Sequence, residues 1–378
     1  TLKTDKAYAP SFVYNCLTAG VANIVDMKTV MANEVEGDMG NAWLKANSAG
    51  TGAYVLKSFK PNEGYVLEAR AGHWRGDAKI KNVFMQHIPE GATERLLLEK
   101  GDIDIARELT PTDLEGLAGN ADVKIQGDVG GQVYYLALNQ KKAELANPKV
   151  QEAMRWAIDY TGMQDSILKG LWVVHQTFLP KGFLGALDEN PYALDIEKAK
   201  ALMAESGLTL PIEIGFTVRN NQERMDIATS IQNTFAQIGI NLVLDVGDGK
   251  QGLETYRGRK HDITLQTWGP DYPDPHTNAS TFAMNPDNSD AANATGYLAW
   301  RTAWDPGADL NAETAAAVEE KDSAKRAEMY GDIQRKVRDS SAFVLMFQQA
   351  RQDAMRANVS GFYAGGATDS ATYWTVTK

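Results

Sequence analysis

The sequence has very little cysteine: Cys16 is the single one among 378 residues. One cysteine forms neither an internal disulfide nor a thiolate metal site, which excludes a disulfide-stabilised scaffold. The chain also lacks a basic excess, because 38 Lys and Arg stand against 49 Asp and Glu, a formal net charge of −11. Without that excess to neutralise phosphates, we expect no nucleic-acid partner and no binding to an anionic membrane.

Long apolar runs are missing as well. The longest, such as residues 343–347, have the length of a strand, far below the ~20 residues that span a bilayer. The chain begins at Thr1 without an initiator methionine, which favours a processed protein or a fragment. Its 43% hydrophobic and 23% charged residues are typical of a globular protein. At ~150 residues per domain the length predicts two or three domains.

The two halves of the chain differ in their predicted secondary structure. Before residue 133, strands predominate: residues 54–59 and 65–70 flank a Pro/Gly turn typical of a hairpin, and residues 102–106 alternate between polar and apolar. From residue 133 onward strands and helices alternate, which favours an α/β unit with a parallel or mixed sheet. The strands predicted there are 133–139, 212–218, 240–246, 261–268 and 343–347, and the main helices begin at Pro148 and cover 196–206, 222–238 and 321–340.

Motifs for catalysis and metal binding are absent from the sequence. No Gly-x-Ser-x-Gly elbow occurs, and Cys16 has no histidine near it in the chain. The five histidines are scattered singly, without the spacing of a zinc site. We therefore expect no catalytic residues, no metal and no cofactor.

One segment does carry the residue types of a binding site. It consists of Trp268, Gly269, Pro270, Asp271, Tyr272, Pro273, Asp274 and Pro275, and we call it the 268–275 segment. It follows a predicted strand, where ligands of α/β sheets bind. Because proline fixes φ, such a loop orders its side chains before a ligand arrives. An ordinary surface turn with solvated aspartates is the alternative.

Several segments taken together resemble one family. They are GTGAYVL at residues 50–56, RAGHWRG at 70–76, GDIDIA at 101–106, a block from Val150 to Asp159, and the 268–275 segment. In this order they resemble solute-binding protein family 5 of the ABC importers, the dipeptide- and oligopeptide-binding type. The chain departs from the family pattern at Ala53, where proline is usual.

The resemblance implies an α/β protein with the two-lobed "Venus flytrap" fold of type II periplasmic binding proteins, mixed sheets and a ligand cleft between the lobes. Residues 1–137 would belong to lobe I, 138–345 to lobe II, and 346–378 would return to lobe I. Family members are longer and begin lobe I earlier. We therefore expect that the N-terminal part of lobe I, ~100 residues or more, is missing from this sequence.

In function, the resemblance implies a receptor rather than an enzyme. It would be a monomer that captures a short peptide or a similar small zwitterionic solute and delivers it to an inner-membrane ABC permease. Its location would be the periplasm, or the outside of a Gram-positive cell with a membrane anchor.

The resemblance also implies a ligand site. Asp271 would pair with the ligand's α-ammonium, and Trp268 would supply an apolar or cation–π face. The other candidate ligand-binding residues are Gly269, Tyr272, Asn139, Gln348 and Arg219. Some family members hold the ligand carboxylate with an arginine three residues before the tryptophan, where this chain has Leu265. Arg219, Arg257 and Arg259 are candidates to replace it.

Two alternatives remain open at this point. The same fold could bind a non-peptide solute, such as an opine, an amino-acid derivative, an oligosaccharide or a metal chelate. For an oligosaccharide, Trp172, Trp300 and Trp304 would be available for stacking. A hydrolase with Asp271 and Asp274 as acid and base is the other alternative, although nothing in the loop sets the ~5–9 Å carboxylate separation of a glycosidase.

Overall fold

The computed structural model describes residues 2–365 and 370–378. The strands are β1 (Tyr54–Lys60), β2 (Gly64–Ala69), β3 (Asn82–Gln86), β4 (Ile105–Ala106), β5 (Val123–Leu138), β6 (Trp172–Val174), β7 (Ile212–Arg219), β8 (Ile240–Gly247), β9 (Ile263–Trp268), β10 (Phe343–Arg356), β11 (Tyr363–Gly365) and β12 (Ser370–Thr372).

The α-helices are α1 (Pro10–Cys16), α2 (Met27–Met31), α3 (Asn41–Leu44), α4 (Gly91–Lys100), α5 (Pro111–Leu117), α6 (Ala143–Ala146), α7 (Pro148–Trp156), α8 (Tyr160–Asp165), α9 (Ile196–Glu205), α10 (Gln222–Ala236), α11 (Gly249–Arg257), α12 (His276–Ala283), α13 (Leu298–Arg301), α14 (Gly307–Ala317) and α15 (Ser323–Ser340). Short 3₁₀ helices cover Gly20–Ala22 and Asp290–Ala292. Within the described residues, no helix combines the length and the hydrophobicity needed to cross a membrane.

The chain divides into two compact units. Unit 1 contains Thr1–Cys16 and Val129–Arg351, and unit 2 contains Leu17–Asp128 and Gln352–Lys378. The two later divisions fall within β5 and β10, and the earlier one follows α1. The sequence-based division placed the first residues in lobe I, whereas the structure groups them with the middle of the chain. The assignment of the units to lobes stays a prediction.

Unit 1 is built on a mixed sheet, as the sequence predicts. The strand order is β10-β5-β9-β7-β8, with β5 and β9 antiparallel and β7 parallel to both of its neighbours. The last six residues of β5 are all buried, so this strand is covered on both faces. Tyr134, Leu136 and Leu138 alternate onto one face and join the core under the helices.

The helices of unit 1 begin where their capping residues predict. The Asn147 side chain accepts a hydrogen bond from the Lys149 amide at 3.0 Å, and Pro148 occupies the first helical position of α7. Helix α10 buries Ile231 and Phe235 at helical spacing against the sheet. Both features confirm the predictions. They could be predicted because helix capping and amphipathic spacing depend on residues that are close together in the sequence.

Unit 2 has a smaller framework. Strands β1, β2 and β3 form an antiparallel sheet in that order, which confirms the predicted hairpin. The prediction of a strand over residues 102–106 is wrong for its first half, since only β4 is extended. The amides of Asp102 and Ile103 instead donate to the Leu97 carbonyl. They complete the end of helix α4 around Gly101, whose φ of +82° suits glycine.

Candidate functional site

The 268–275 segment begins at the carboxyl end of β9. Strands β7 and β9 run parallel, with Thr217 paired to Thr264, so Arg219 and Trp268 follow these positions toward the same edge of the sheet. This edge is where α/β proteins bind ligands. The structure therefore brings Arg219 to the edge that carries the 268–275 segment.

Asp274 anchors the end of the segment inside unit 1. Its two carboxylate oxygens accept hydrogen bonds from Nη1 and Nη2 of Arg326 at 2.8 and 2.7 Å, and the two side chains are 1% and 2% exposed. The His276 amide donates to the same carboxylate at 3.0 Å. Because its oxygens are engaged and buried, Asp274 has a structural role, and a ligand has no access to it.

Asp271 differs from Asp274 in every one of these respects. It is exposed, and its amide donates to Thr277 Oγ1 at 3.2 Å. Within residues 2–365 and 370–378, its carboxylate makes no hydrogen bond or ion pair. A carboxylate that the protein leaves unneutralised, on a backbone held in place, is suited to bind a cation from outside.

Trp268 and Gly269 form the start of the segment. The Trp268 indole Nε1 donates to Asn278 Oδ1 at 3.1 Å, and Asn278 in turn donates to the Phe178 carbonyl at 2.6 Å. These bonds fix the orientation of the half-buried indole. A Cβ on Gly269 would lie 3.3 Å from Gln132 Cγ, so the close approach of β5 favours glycine here.

Tyr272 is packed rather than free. Its ring meets Phe12 edge-on, with centroids 6.0 Å apart. Burial raises the Tyr272 pKa well above its ordinary value, so the hydroxyl stays neutral at physiological pH. The side chain contributes packing at this position and brings no charge to the site.

Two residues of helix α10 that the sequence analysis missed contact the same edge. Arg224 donates to the Leu265 carbonyl and to Thr267 Oγ1, both at 3.1 Å. Glu223 accepts hydrogen bonds from the Tyr134 hydroxyl at 2.7 Å and from the Trp172 indole at 3.0 Å. Their position in the sequence could have identified them, because they lie in the first turn of helix α10, which directly follows strand β7 of the α/β unit.

Gln348 and Asn139 were also candidates from the sequence. Gln348 lies near the end of β5 that pairs with Trp268, and Asn139 lies at the opposite end of that strand. Gln348 is 1% exposed and donates to the Gly130 carbonyl at 3.0 Å. Gly130 lies in β5, three residues before Val133, which is paired with Trp268 in the sheet. Asn139 follows the other end of β5, six residues after Val133, which is about 20 Å along the strand. Its buried amide donates to backbone carbonyls at 3.0 and 2.7 Å. The structure does not bring Asn139 to the 268–275 segment.

The other arginine candidates differ in availability. Arg259 is 6% exposed, donates to the Trp300 and Asn288 carbonyls and lies over the Trp300 ring, so its hydrogen-bonding capacity is used within the protein. Arg257 is exposed at the end of α11. Leu265 is fully buried in the core, so its side chain has no access to a ligand. Arg219, exposed at the end of β7, is the candidate at the right edge.

The histidines and acidic residues form no metal centre in the part of the chain that the structure describes, where no group of three or more such ligands occurs. In unit 1, His175 and His261 are buried and His276 is partly buried, and burial lowers the pKa of all three to about 4. They are therefore neutral at physiological pH. A hydrolase with Asp274 as one of its two carboxylates is not compatible with the buried pair to Arg326.

Comparison with known proteins gives a consistent result. Residues 1–290 match the model of bacterial extracellular solute-binding proteins, family 5. The chain is 28% identical over 364 residues to the probable D,D-dipeptide-binding periplasmic protein DdpA of Escherichia coli K12, covering 95% of this chain and 67% of that protein. It is 24% identical over 331 residues to the dipeptide-binding protein of the same organism, covering 84% of this chain and 59% of that protein.

Among solved structures, the periplasmic binding protein DppA of Helicobacter pylori in complex with the peptide STSA superposes with a TM-score of 0.85 at 20% identity. The match covers 98% of this chain and 70% of that one. It confirms the predicted fold class, that of two-lobed type II periplasmic binding proteins with mixed sheets. The chain spans about three fifths to two thirds of the length of the two curated relatives.

Proposed function

We propose that this chain, which belongs to family 5 of the bacterial extracellular solute-binding proteins, is the substrate-binding receptor of an ABC importer. It captures a short peptide or a similar small zwitterionic solute and passes it, chemically unchanged, to an inner-membrane permease. It acts as a monomer in the periplasm, or at the outer surface of a Gram-positive cell. The family consists of solute-binding proteins rather than enzymes.

The contrast between Asp271 and Asp274 carries this proposal. Of the two aspartates in the 268–275 segment, Asp274 is neutralised by Arg326 inside the protein, whereas Asp271 is exposed and its carboxylate has no partner among the described residues. A charge-assisted hydrogen bond to a ligand ammonium satisfies such a carboxylate. Trp268 offers an apolar or cation–π face beside it.

The opposite charge at the same edge supports a zwitterionic ligand. Arg219 ends β7, which is the direct neighbour of β9 in the sheet, and neighbouring strands lie about 4.8 Å apart. A guanidinium binds a carboxylate in two parallel hydrogen bonds. Asp271 and Arg219 thus supply one site for an ammonium and one for a carboxylate, the two groups that every free peptide carries.

A non-peptide zwitterion is the second candidate, because both of these groups recognise charge rather than a peptide bond. An opine or another amino-acid derivative carries the same two charges. An oligosaccharide is disfavoured by the state of the tryptophans proposed for stacking: Trp172 and Trp300 are 5% and 4% exposed, and Trp304 packs edge-on against Phe343.

The decisive experiment measures binding of three probes by titration calorimetry: L-alanyl-L-alanine, its N-acetyl derivative and its C-terminal amide. We expect Asp271→Asn to weaken binding of the free dipeptide by about 2–4 kcal/mol, the usual loss when one member of a desolvated charge pair is removed. Asp309→Asn is the matched control, since Asp309 is exposed in the first turn of α14.

The modified probes assign each end of the ligand. N-acetylation removes the ammonium and should abolish the difference between wild type and Asp271→Asn, and the amide should do the same for Arg219→Met. Equal binding of the free and N-acetylated dipeptides by the wild type would contradict the role of Asp271. Native mass spectrometry of the purified protein identifies a solute that co-purifies and separates peptides from opines.

A further inference from the structure

We infer that residues 9–16, called here the N-terminal strap, position the Asp271 carboxylate by holding the 268–275 segment in place. The inference rests on the proposed function, because it concerns the same ligand site. The strap consists of Ala9 and helix α1, and it belongs to unit 1 although the next residue, Leu17, begins unit 2.

The strap contacts the segment directly after Asp271. Phe12 packs edge-on against Tyr272, with centroids 6.0 Å apart, and against His276 at 5.6 Å. Asn15 Nδ2 donates to the Pro273 carbonyl at 3.0 Å. Phe12 and Asn15, three positions apart in α1, thus hold two consecutive residues of the segment, Tyr272 and Pro273.

The strap is itself anchored on the elements that hold the end of the segment. The amide of Ala9, 2% exposed, donates to the Val318 carbonyl at 3.0 Å. Ser11 Oγ accepts from Nη1 of Arg326 at 3.3 Å, the same guanidinium nitrogen that binds Asp274. Strap and segment therefore share Arg326 as a fixed point.

Asp271 depends on this arrangement because it has little support of its own. Pro270 and Asp274 are buried on either side of it, and between them the Asp271 amide bonds to Thr277. The ring contact of Tyr272 described above is made to Phe12 of the strap. Without the strap, the segment between the two buried ends would sample more conformations, and ordering it on ligand binding would reduce affinity.

The test compares Phe12→Ala, Phe12→Tyr and Asp271→Asn, with Tyr14→Ala as the control. Tyr14 lies in the same helix but is 69% exposed. Binding of L-alanyl-L-alanine and of its N-acetyl derivative is measured by calorimetry, and thermal unfolding is recorded for each variant. We expect Phe12→Ala to weaken binding of the free dipeptide about tenfold, Phe12→Tyr to restore it, and Tyr14→Ala to match wild type.

The pattern across probes distinguishes positioning from general damage. If the strap acts through Asp271, Phe12→Ala changes binding of the free dipeptide and leaves the N-acetyl derivative unaffected, and the double variant with Asp271→Asn is no weaker than Asp271→Asn alone. An equal loss for both probes would overturn the inference. Should Phe12→Ala unfold, Asn15→Ala replaces it, since the Asn15 side chain donates to the Pro273 carbonyl.

A readout without ligand tests the contact itself. The Cys16 thiol, one helical turn after Phe12 in α1, is partly buried, so we expect Phe12→Ala to speed its reaction with Ellman's reagent and Tyr14→Ala to leave the rate unchanged. An unchanged rate in Phe12→Ala would overturn the inference.

The outcomes also separate the inference from the proposed function. Weaker binding by Asp271→Asn together with wild-type binding by Phe12→Ala refutes the strap and keeps the function. Failure of the wild-type protein to bind any of a set of L-dipeptides, opines and other zwitterionic amino-acid derivatives refutes both.

Discussion

Units 1 and 2 differ in how far their large apolar side chains are buried. Unit 1 buries a continuous core around the central strands, including Phe216, Ile263 and Val344. In unit 2, one small core cluster consists of Met355, Val359, Phe362, Ala364 and Val376, and Leu98, Leu109, Leu114 and Leu117 are also buried. Large apolar residues of unit 2 are instead exposed: Val21 by 96%, Ile24 by 88%, Met27 by 75%, Trp74 by 74%, Met39 by 73% and Phe84 by 72%.

This difference shows that unit 1 uses its apolar residues to form a core, whereas unit 2 presents many of them at its surface. Scattered exposed apolar residues are ordinary, but a dense run of them within one segment is typical of a surface that contacts another polypeptide segment. Residues 17–39 form such a run in unit 2.

The comparison is tested most strongly by the same substitution in both units. Phe216→Ala removes a fully buried ring from unit 1, and we expect it to lower the free energy of unfolding by about 3–5 kcal/mol. Phe84→Ala removes a ring that is 72% exposed and should stay within about 0.5 kcal/mol of wild type. Urea unfolding followed by circular dichroism measures both. A large loss for Phe84→Ala would show that unit 2 uses this ring for packing.

Within unit 1, the two aspartates of the 268–275 segment should separate stability from binding. Asp274→Asn leaves the buried Arg326 without its counter-charge, and we expect a loss of about 3 kcal/mol in unfolding free energy. Asp271→Asn, at an exposed position, should unfold like wild type. Differential scanning fluorimetry of the two variants makes the comparison, and equal melting temperatures would contradict the structural role of Asp274.

Acid should affect unit 1 more than unit 2. Burial lowers the pKa of His175 and His261, both in unit 1, to about 4, against about 6.5 in an unfolded chain. The folded state therefore binds fewer protons between these values. The stability of the folded state is therefore undiminished by these histidines above pH 6.5, and it decreases as the pH falls toward 4, because the unfolded chain takes up protons that the folded state does not. From pH 7 to 5 we expect each to cost about 2 kcal/mol.

Hydrogen exchange measured at both pH values locates this effect. Amides of β5 and β9 should lose protection on acidification, and His261→Phe should make the loss smaller. Protection that falls equally in β1 and β2 would indicate a cause outside these histidines.

The smallest effect is expected on the exposed run of unit 2. Serine in place of Val21 and Ile24 should change the unfolding free energy by no more than about 0.5 kcal/mol while lowering the fluorescence of added anilinonaphthalene sulfonate. Val243→Ser, at a 51% exposed position of unit 1, is the control and should leave the dye signal unchanged. A destabilisation similar to that of a core residue would mean that this run is packed.

Local features of this protein followed from its sequence alone. The start of α7 at Asn147 and Pro148, the apolar stripe of α10, the buried end of β5 and the hairpin of β1 and β2 all depend on residues within a few positions of one another. The order of several motifs along the chain also identified the family correctly. Spacing of this kind is visible in the sequence because periodicity and capping are short-range.

Only the tertiary structure decided which of these residues serve a site. Asp271 and Asp274 look alike in the sequence, and their difference depends on Arg326, 52 residues away. The sequence also did not predict that Arg224 contacts the edge of β9 or that Asn139 lies at the opposite end of that strand. Nor did it predict the contact of the strap with Pro273, which is 258 residues from Asn15. The physical reason is that the partner that neutralises a charge or packs on a ring is chosen by the fold, and no local pattern encodes that choice.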